Sequence, residues 1–326
     1  MTRARFAILG AGAIGSILAA HLARAGHSVI VIARGERARA VERDGLRIKG
    51  LADFSVKVGV VTEPTQLEAA DTLIVAMKTP GTEAALERLR NVRVGTALSI
   101  QNGVQKNELL SRVFGADRVL GALADTSGEL LPSGEVLFTR NVNLPLGELA
   151  GGISERAARI AAMIDEAGVR STAVADIVSM EWSKFTVWLG LMCMAVTMRS
   201  VSWRYLTDAD SAQVLVQLVR EVAALARAQG ITLVEGAAAV SLRAVLEAPE
   251  RDAIEAVRKA GEQMRSRAPD HRMSALQDLE AGRPLEVEET FGYAVRKARE
   301  LGLSLPLLET CHRLVAAIDR IRRETR

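Results

Sequence analysis

Cysteine, long hydrophobic runs and an excess of charge of either sign are all scarce in this sequence of 326 residues. The two cysteines, Cys193 and Cys311, are far apart and match no metal-binding spacing, so the sequence indicates neither a disulfide framework nor a metal site. The longest apolar run, residues 185–198, has 14 residues, whereas a membrane-spanning helix needs about 20. Because 42 basic residues are nearly matched by 39 acidic ones, a nucleic-acid partner is not expected. No signal-peptide pattern precedes the first strand-like segment, so we expect a cytoplasmic protein with no membrane partner.

The pattern of the chain changes near residue 175, which predicts two domains. Strand-like and helix-like segments alternate before that point, and only helical patterns follow it. The predicted strands cover residues 6–9, 29–33, 46–48, 54–61, 73–77, 97–100, 119–124, 135–139, 143–147 and 171–174. The predicted helices cover residues 14–24, 36–41, 83–89, 154–167, 177–198, 209–229, 234–246, 251–265, 274–280, 287–301 and 306–323. The predicted fold class is α/β, with a Rossmann-type doubly wound sheet in residues 1–175 and an all-α domain in residues 176–326.

A glycine motif, G-x-G-x-x-G, joins the first predicted strand to the first predicted helix. The first glycine permits a tight turn, the second lets the backbone approach a pyrophosphate, and the third lets helix and strand pack closely. This strand–turn–helix setting predicts dinucleotide binding. The residues expected to contact the cofactor there are Gly10, Ala11, Gly12, Ala13, Ile14 and Gly15.

The residue at the end of the second predicted strand indicates which dinucleotide binds. That position usually carries Asp or Glu for a free ribose 2′-hydroxyl, whereas a 2′-phosphate favours arginine. Here it is Arg34, with no carboxylate before Glu36. We therefore expect NADP(H) rather than NAD(H), and we interpret Arg37 and Arg39 as the solvated face of the following helix.

Two polar residues follow the ends of later predicted parallel strands. Lys78 comes after residues 73–77, and Asn102 comes after residues 97–100. Open α/β sheets bind ligands at the carboxyl ends of their strands, so both positions favour cofactor or substrate binding. A surface lysine and an Asn-Gly turn remain the alternatives.

The helical half contains two further groups of polar residues. Lys184 begins an apolar helical pattern in which no other charged residue occurs before Arg199. It is therefore either a reactive group or a lysine whose stem packs on the core while its amine reaches water. Ser274 with Gln277 fits a capping box, and Glu286 fits a first-turn carboxylate.

The glycine loop, Arg34, Lys78, Asn102-Gly103, Trp182-x-Lys184 and the stretch SALQDLEAGRPLE occur in the same order and similar spacing as in ketopantoate reductases. This resemblance covers nearly the whole chain. It implies a helical second domain like that of 6-phosphogluconate dehydrogenase, and NADPH-dependent reduction of a 2-oxo acid. In that family the reaction converts ketopantoate to pantoate for pantothenate biosynthesis.

The resemblance also implies roles for individual residues. Lys184 would be the general acid that protonates the carbonyl oxygen, and Glu286 would hold that lysine and the substrate. Ser274 would contact the substrate carboxylate, while Lys78 and Asn102 would lie between cofactor and substrate. An alkoxide that develops at a former carbonyl needs such a proton donor and positive charge.

The chain departs from the family pattern where the substrate would bind. The family usually has asparagine four and eight residues after the lysine, and those positions are Trp188 and Met192 here. Leu285 replaces a threonine, and His271 replaces an asparagine. Because an apolar pocket cannot hydrogen-bond a substrate hydroxyl, the alternatives are ketopantoate itself and a less polar 2-oxo acid or ketone.

Two further readings stay open beside the reductase. A non-catalytic NADP(H)-binding sensor could use the same fold. A β-hydroxyacid dehydrogenase would share the fold and the helix-borne lysine, but would need an asparagine one turn after it, where Trp188 stands. The apolar helices of the second domain are also compatible with a homodimer.

Overall fold

A computed structural model describes residues 3–324, and their contacts divide the chain into two units. The first unit runs to Asn102 and resumes over Lys106–Val178. The second contains Gly103–Gln105 and continues from Ser179. The expected fold class, a Rossmann-type sheet domain followed by a helical domain, is confirmed.

The first unit is built on a mixed sheet with helices on both faces. Its strands are β1 (Arg5–Leu9), β2 (Ser28–Ile32), β3 (Leu46–Gly50), β4 (Phe54–Val56), β5 (Gly59–Val61), β6 (Ala69–Val75), β7 (Arg93–Ser99), β8 (Val119–Ala122), β9 (Asp125–Leu130), β10 (Val136–Glu148) and β11 (Ser171–Ala173). Its helices are α1 (Ala13–Arg24), α2 (Gly35–Asp44), α3 (Thr82–Glu87), α4 (Gln105–Phe114) and α5 (Glu155–Glu166), with short 3₁₀ turns at Pro64–Gln66 and Ala116–Arg118.

The strand order is β4-β3-β10-β8-β7-β6-β1-β2-β5. The strands from β8 to β5 in this order are parallel, whereas β10 runs antiparallel to β8 and β9. The chain leaves β1 for β2 on one side and later returns to β6 on the other, so a topological switch point lies at β1. Ligands of open α/β sheets bind beside such a point.

Residues of β1 alternate between the two faces of the sheet, as the strand period requires. Phe6 and Ile8 belong to the apolar cluster that includes α1 and α5. Ala7 and Leu9 belong to a second cluster that includes residues of α3 and α4. Both faces are therefore covered, which explains why β1 is apolar at consecutive positions.

Several features of this unit differ from the predictions. The separate strands expected at residues 135–139 and 143–147 form one strand, β10. The single strand expected at residues 54–61 is two strands, because β4 pairs antiparallel with β3 while β5 pairs parallel with β2. Helix α4 was not predicted. Strand β9 was also missed; it is largely exposed and gains its order by pairing with β10.

The second unit is helical. Its elements are α6 (Ile177–Met198), α7 (Ser202–Thr207), α8 (Ala209–Ala228), α9 (Leu242–Glu247), α10 (Glu250–Arg267), α11 (Ser274–Glu280), a π-helical turn at Glu288–Gly292, α12 (Tyr293–Glu300) and α13 (Pro306–Glu324). Across residues 3–324, none of the helices combines the length and apolar character that crossing a bilayer requires.

The helix expected at residues 234–246 is wrong in its first half. Gly236 has a left-handed φ of +84°, and helix α9 begins only after Ser241, whose hydroxyl accepts a hydrogen bond from the Ala244 amide at 3.1 Å. Helix α7 was not predicted. The two cysteines, although far apart in sequence, are both buried, and both are free thiols.

Candidate functional site

The glycine loop follows β1, and the fold itself requires two of its three glycines. Gly10 has a φ of +110°, and a Cβ there would lie 2.6 Å from the Met77 amide nitrogen. A Cβ on Gly15 would lie 2.1 Å from the Gly10 carbonyl oxygen and 3.0 Å from the Ala76 Cβ. No side chain fits at either position, so both glycines let the loop turn close beneath the sheet edge.

Gly12 differs from these two. Its φ of −69° and ψ of −168° are open to any residue, and a Cβ there would meet no protein atom within 4 Å. Gly12 is the N-cap of α1, where no side chain caps the first turn and no acidic residue lies in it. The unsatisfied N–H groups of this turn and the helix dipole suit an anion. The residues present therefore fit a pyrophosphate that approaches the backbone at Gly12.

Arg34 is the N-cap of α2 and lies two residues after the end of β2. Its backbone is extended and its side chain is exposed. Within residues 3–324, its guanidinium has no hydrogen bond or ion pair with another residue. The group is placed at the strand end where a ribose 2′-phosphate is recognised in Rossmann domains, with five donors to offer.

The prediction that Arg37 belongs to a solvated helix face is wrong. The Arg37 side chain is half-buried, and its guanidinium donates three hydrogen bonds of 2.9 Å each, to the Ala11 carbonyl, the Ser16 hydroxyl and the Gly134 carbonyl. Burial lowers the pKa of Arg37 from its usual value, but a guanidinium stays charged in proteins. Arg39 is exposed, as expected.

The loops after β6 and β7 lie at the same sheet edge as the glycine loop. The Ala76 amide donates to the Leu9 carbonyl at 2.8 Å, and the Ile100 amide donates to the Val75 carbonyl at 3.0 Å. Lys78 is exposed in the first of these loops, and Asn102 is partly exposed in the second. The sheet therefore brings Lys78, Asn102 and the glycine loop to one edge.

Gln101, which the sequence did not single out, ties these two loops together. Its side-chain amide nitrogen, Nε2, donates to the Met77 carbonyl at 2.9 Å and to the Thr82 hydroxyl at 2.7 Å. Its amide oxygen accepts from the Ser99 hydroxyl at 2.9 Å. These bonds fix the loop that carries Lys78 against the strand end that precedes Asn102.

In the helical unit, Lys184 occupies an unusual position on α6. Every residue from Glu181 to Val196 is buried except Lys184, which is partly exposed. It lies about two turns inside the helix, so it is not a lysine at a helix end. Two buried carboxylates of the same unit, Glu181 and Glu286, are each 5% exposed. All three residues have polar or electrostatic partners.

Neighbouring residues hold α6 on its other sides. The Ser183 hydroxyl donates to the Ser179 carbonyl at 2.6 Å and accepts from the Val234 amide at 2.7 Å. A Cβ on Gly190 would lie 2.3 Å from Leu215 Cδ1, so α6 packs very closely on α8 there. The helix has little freedom to turn, and the direction of the Lys184 side chain is set by this packing.

The two apolar replacements on α6 are buried to different degrees. Trp188 is 8% exposed, whereas Met192 is 0% exposed. A residue with no exposed surface acts on a substrate only through its neighbours. Of the two, only Trp188 has exposed surface that a substrate could contact.

Ser274 begins α11 and is partly exposed. The capping box predicted with Gln277 is absent, because the N-cap is Met273 and the Gln277 side-chain Nε2 donates to the Arg272 carbonyl at 3.3 Å instead. The Ser274 hydroxyl is therefore not required by the helix. His271 is exposed, and its Nδ1 lies 2.9 Å from the Ser202 hydroxyl, so it anchors the start of α7.

The segment that leads into Glu286 is held from two sides. The Arg283 Nε donates to the buried Asp278 carboxylate at 2.7 Å, and the Leu285 amide donates to Asp319 Oδ1 on α13 at 3.1 Å. Leu285 itself is buried. After Glu286 the chain enters a π-helical turn, in which the buried Thr290 hydroxyl donates to the Glu286 carbonyl. Such turns are frequent at functional sites.

Sequence reasoning thus missed Arg37, Gln101 and Asp319, which support predicted site residues. A usable signal existed for one of them, because Gln101 directly precedes Asn102. The three-residue spacing of Arg34 and Arg37 is also typical of a solvated helix face, so it does not single out Arg37. Asp319 lies 34 positions from Leu285, and nothing in the local pattern connects them.

Comparison with known proteins covers both units. The family model for ketopantoate reductase PanE/ApbA matches residues 6–151, and the model for the C-terminal part of ketopantoate reductase PanE/ApbA matches residues 176–319. The chain is 31% identical over 315 residues to the 2-dehydropantoate 2-reductase of Archaeoglobus fulgidus, an alignment that covers 97% of this chain and 98% of that one.

Solved structures agree with these matches. The 2-dehydropantoate 2-reductase from Methylococcus capsulatus has a TM-score of 0.78 and 26% identity, covering 98% of this chain and 97% of that one. A PanE/ApbA family ketopantoate reductase from Ralstonia eutropha has a TM-score of 0.82 and 25% identity, covering 98% and 99%. A D-mandelate dehydrogenase solved with NADH and anilino(oxo)acetate shares the fold, with a TM-score of 0.83 at 18% identity over 98% and 99%.

Proposed function

The chain belongs to the ketopantoate reductase family, and on that premise we propose that it uses NADPH to reduce a 2-oxo acid. Family membership makes it an oxidoreductase. The choice of NADPH, the substrate and the residue roles are our proposals, as are the bounds of a cofactor domain in residues 1–175 and a catalytic domain in residues 176–326.

The cofactor is assigned to the first unit. Residues 10–15 would hold the pyrophosphate through backbone N–H groups, and Arg34 would hold the 2′-phosphate. When bound, the nicotinamide supplies the hydride. The support for this assignment is that Gly12 is a glycine the fold does not need, while the exposed Arg34 has no competing partner within residues 3–324.

We assign the proton transfer to Lys184, and the partial exposure of its side chain is the main support for this assignment. Lys184 is the one position on a buried stretch of α6 from which an ammonium can reach a reacting oxygen. Its Nζ would donate a proton to the carbonyl oxygen as negative charge develops there, a contribution of about 10²–10⁴-fold in rate. Glu286 would orient that ammonium. The Leu285 amide, which donates to Asp319, and the Glu286 carbonyl, which accepts from the Thr290 hydroxyl, hold the backbone at Glu286 in place.

The substrate assignment combines polar and apolar residues. Ser274, whose hydroxyl is not used to cap α11, would contact the substrate carboxylate, and Asn102 and Lys78 would lie near the reacting groups. Trp188 would face the rest of the substrate, with Met192 supporting it from the core. Because neither replaces the hydrogen bonds of asparagine, we propose a preference for a 2-oxo acid less polar than ketopantoate.

A panel of 2-oxo acids tests this assignment. NADPH oxidation would be followed with ketopantoate, pyruvate, 2-oxoisovalerate and phenylpyruvate, and each repeated with NADH. We expect NADPH to exceed NADH, and an apolar acid to exceed ketopantoate in kcat/KM. Ketopantoate as the best substrate would contradict the remodelled pocket and leave the family reaction in place. Tight NADPH binding without turnover would favour a sensor.

A pair of variants at one position tests the role of the tryptophan. Trp188→Asn restores the amide of the family pattern, and Trp188→Phe keeps an apolar ring as the matched control. We expect only Trp188→Asn to move the ranking towards ketopantoate, by roughly tenfold or more, since a matched hydrogen bond to a hydroxyl discriminates strongly. An unchanged ranking in both variants would contradict the assignment. The homodimer stays a prediction, which a mass measurement by light scattering would test.

A further inference from the structure

Arg37 lies where three segments of the first unit meet. It is in the first turn of α2, and its three hydrogen bonds reach the glycine loop at Ala11, helix α1 at Ser16 and the β9–β10 turn at Gly134. Each distance is 2.9 Å. Each of the three guanidinium nitrogens therefore donates one hydrogen bond, a geometry that a lysine ammonium cannot reproduce.

The glycine loop is held at one carbonyl by two donors. The Ala11 oxygen accepts from Arg37 Nε at 2.9 Å and from the Ser16 hydroxyl at 3.1 Å. Ser16 is fully buried and in turn accepts from Arg37. Since the Ala11 carbonyl points into these donors, the peptide that precedes the Gly12 N-cap is fixed in orientation. The loop is thus set before any ligand arrives, which reduces the ordering cost of binding.

The charge of Arg37 is not neutralised by a carboxylate. All three acceptors are uncharged oxygens, and no ion pair links Arg37 to an acidic residue within residues 3–324. A half-buried positive charge therefore stands beside a loop whose helix start is also electropositive. This charge favours an anion bound at the loop, and added salt weakens that attraction.

Arg37 also connects the two ends of the expected cofactor site. Arg34 caps the same helix three residues earlier, and the Ala38 amide donates to the Arg34 carbonyl at 3.3 Å. The bond to Ala11 thereby ties the turn that carries Arg34 to the loop that carries Gly12. This link sets the distance between Arg34, which would bind the 2′-phosphate, and the Gly12 backbone, which would bind the pyrophosphate.

We propose that Arg37 is a positioning residue for the dinucleotide, acting by holding the Ala11 carbonyl and by supplying unneutralised charge beside the pyrophosphate. The proposal rests on the proposed function, because it requires a dinucleotide to bind at the glycine loop. It assigns separate tasks to two arginines of one helix. Arg34 selects the 2′-phosphate, and Arg37 serves whatever dinucleotide is bound.

This division predicts different patterns of loss. Arg37→Met weakens NADPH and NADH by similar factors, about 10- to 100-fold, since it removes charge-assisted hydrogen bonds and a charge. Arg34→Met weakens NADPH far more than NADH. Arg39→Met removes an exposed arginine of the same helix and serves as the matched control, with both dissociation constants staying within about twofold.

The test measures dissociation constants of both dinucleotides by nucleotide fluorescence, at low and high salt, with ligand-free thermal unfolding beside them. In Arg37→Met we expect both constants to rise together and their dependence on salt to become flatter, which a purely structural role would not produce. Arg37→Lys keeps the charge without the fork, so we expect weaker binding with the salt dependence retained. It also serves if Arg37→Met fails to fold.

Three outcomes would overturn the proposal. Constants within about twofold of the parent for Arg37→Met would remove any role in binding. Loss of NADPH binding alone would make Arg37 a second 2′-phosphate residue. A parent that binds neither dinucleotide would overturn the proposed function and this proposal together, whereas a parent that binds beside an insensitive Arg37→Met overturns only the role of Arg37.

Discussion

Two substitutions in the glycine loop separate what the fold needs from what the ligand needs. Gly15→Ala places a methyl group 2.1 Å from the Gly10 carbonyl oxygen. Carbon–oxygen contacts normally begin near about 3.3 Å, so the loop has to move by roughly 1 Å. Gly12→Ala places the same group where no protein atom lies within 4 Å.

The expected magnitudes follow from these contacts. Overpacking of this kind costs about 1–3 kcal/mol, which lowers the Tm of a domain of this size by roughly 2–12 °C. At Gly12 the only loss in the ligand-free protein is a poorer N-cap, at most about 1 kcal/mol. With a dinucleotide, however, the added methyl of Gly12→Ala occupies the approach of the pyrophosphate, and we expect the NADPH dissociation constant to rise by about tenfold or more.

Thermal unfolding of the ligand-free variants and NADPH titration of each give the comparison. We expect Gly15→Ala to lose more stability than Gly12→Ala. We expect Gly12→Ala to stay nearly as stable as the parent and to bind NADPH more weakly. If Gly12→Ala bound NADPH like the parent, the loop would not be the pyrophosphate site. A Gly15→Ala protein with unchanged Tm would contradict the packing argument.

Two further predictions concern the support of Glu286 and the effect of pH. Asp319→Ala removes the acceptor of the Leu285 amide, and we expect kcat/KM to fall about tenfold with a loss of about 1–3 kcal/mol in stability. Arg323→Ala removes only the exposed partner of Asp319 and should change kcat/KM by no more than about twofold. An equal loss of kcat/KM in both variants would contradict a role of the Leu285–Asp319 bond in positioning Glu286. Burial lowers the pKa of His21 from its usual 6.5, despite the hydrogen bond at 2.9 Å between its Nδ1 and the Ala167 carbonyl. The unfolded chain therefore binds the proton more readily, and the stability that neutral His21 contributes is full above pH 6.5 and falls as the pH drops towards the lowered value. Urea unfolding across this range should show a shallower decline for His21→Asn than for the parent, and parallel curves would count against this role.

Local pattern predicted the β1–α1–β2 unit well. The expected helix at residues 14–24 is Ala13–Arg24, because an alanine-rich helical period lies between a glycine turn and Gly26. It did less well where structure depends on distant partners. Residues 54–61 have one alternating pattern, yet β4 and β5 pair with different strands. The run after Val234 looks helical, but the left-handed backbone at Gly236 prevents it.

The same distinction applies to the candidate site. Residues in motifs, such as Gly12, Arg34 and Lys184, could be singled out from neighbours in sequence. Arg37 could not, because three-residue spacing of arginines on a helix is also typical of a solvated face. Its burial depends on the Gly134 carbonyl, 97 positions away, which no local period reports.

Removal of the Lys184 ammonium tests whether this lysine transfers the proton to the substrate carbonyl. NADPH oxidation would be measured with the best 2-oxo acid for the parent, Lys184→Ala and Lys184→Arg, with the NADPH dissociation constant of each. We expect Lys184→Ala to lose about 10²–10⁴-fold in kcat while NADPH binding stays within about threefold. Turnover by Lys184→Ala at the rate of the parent would contradict this role.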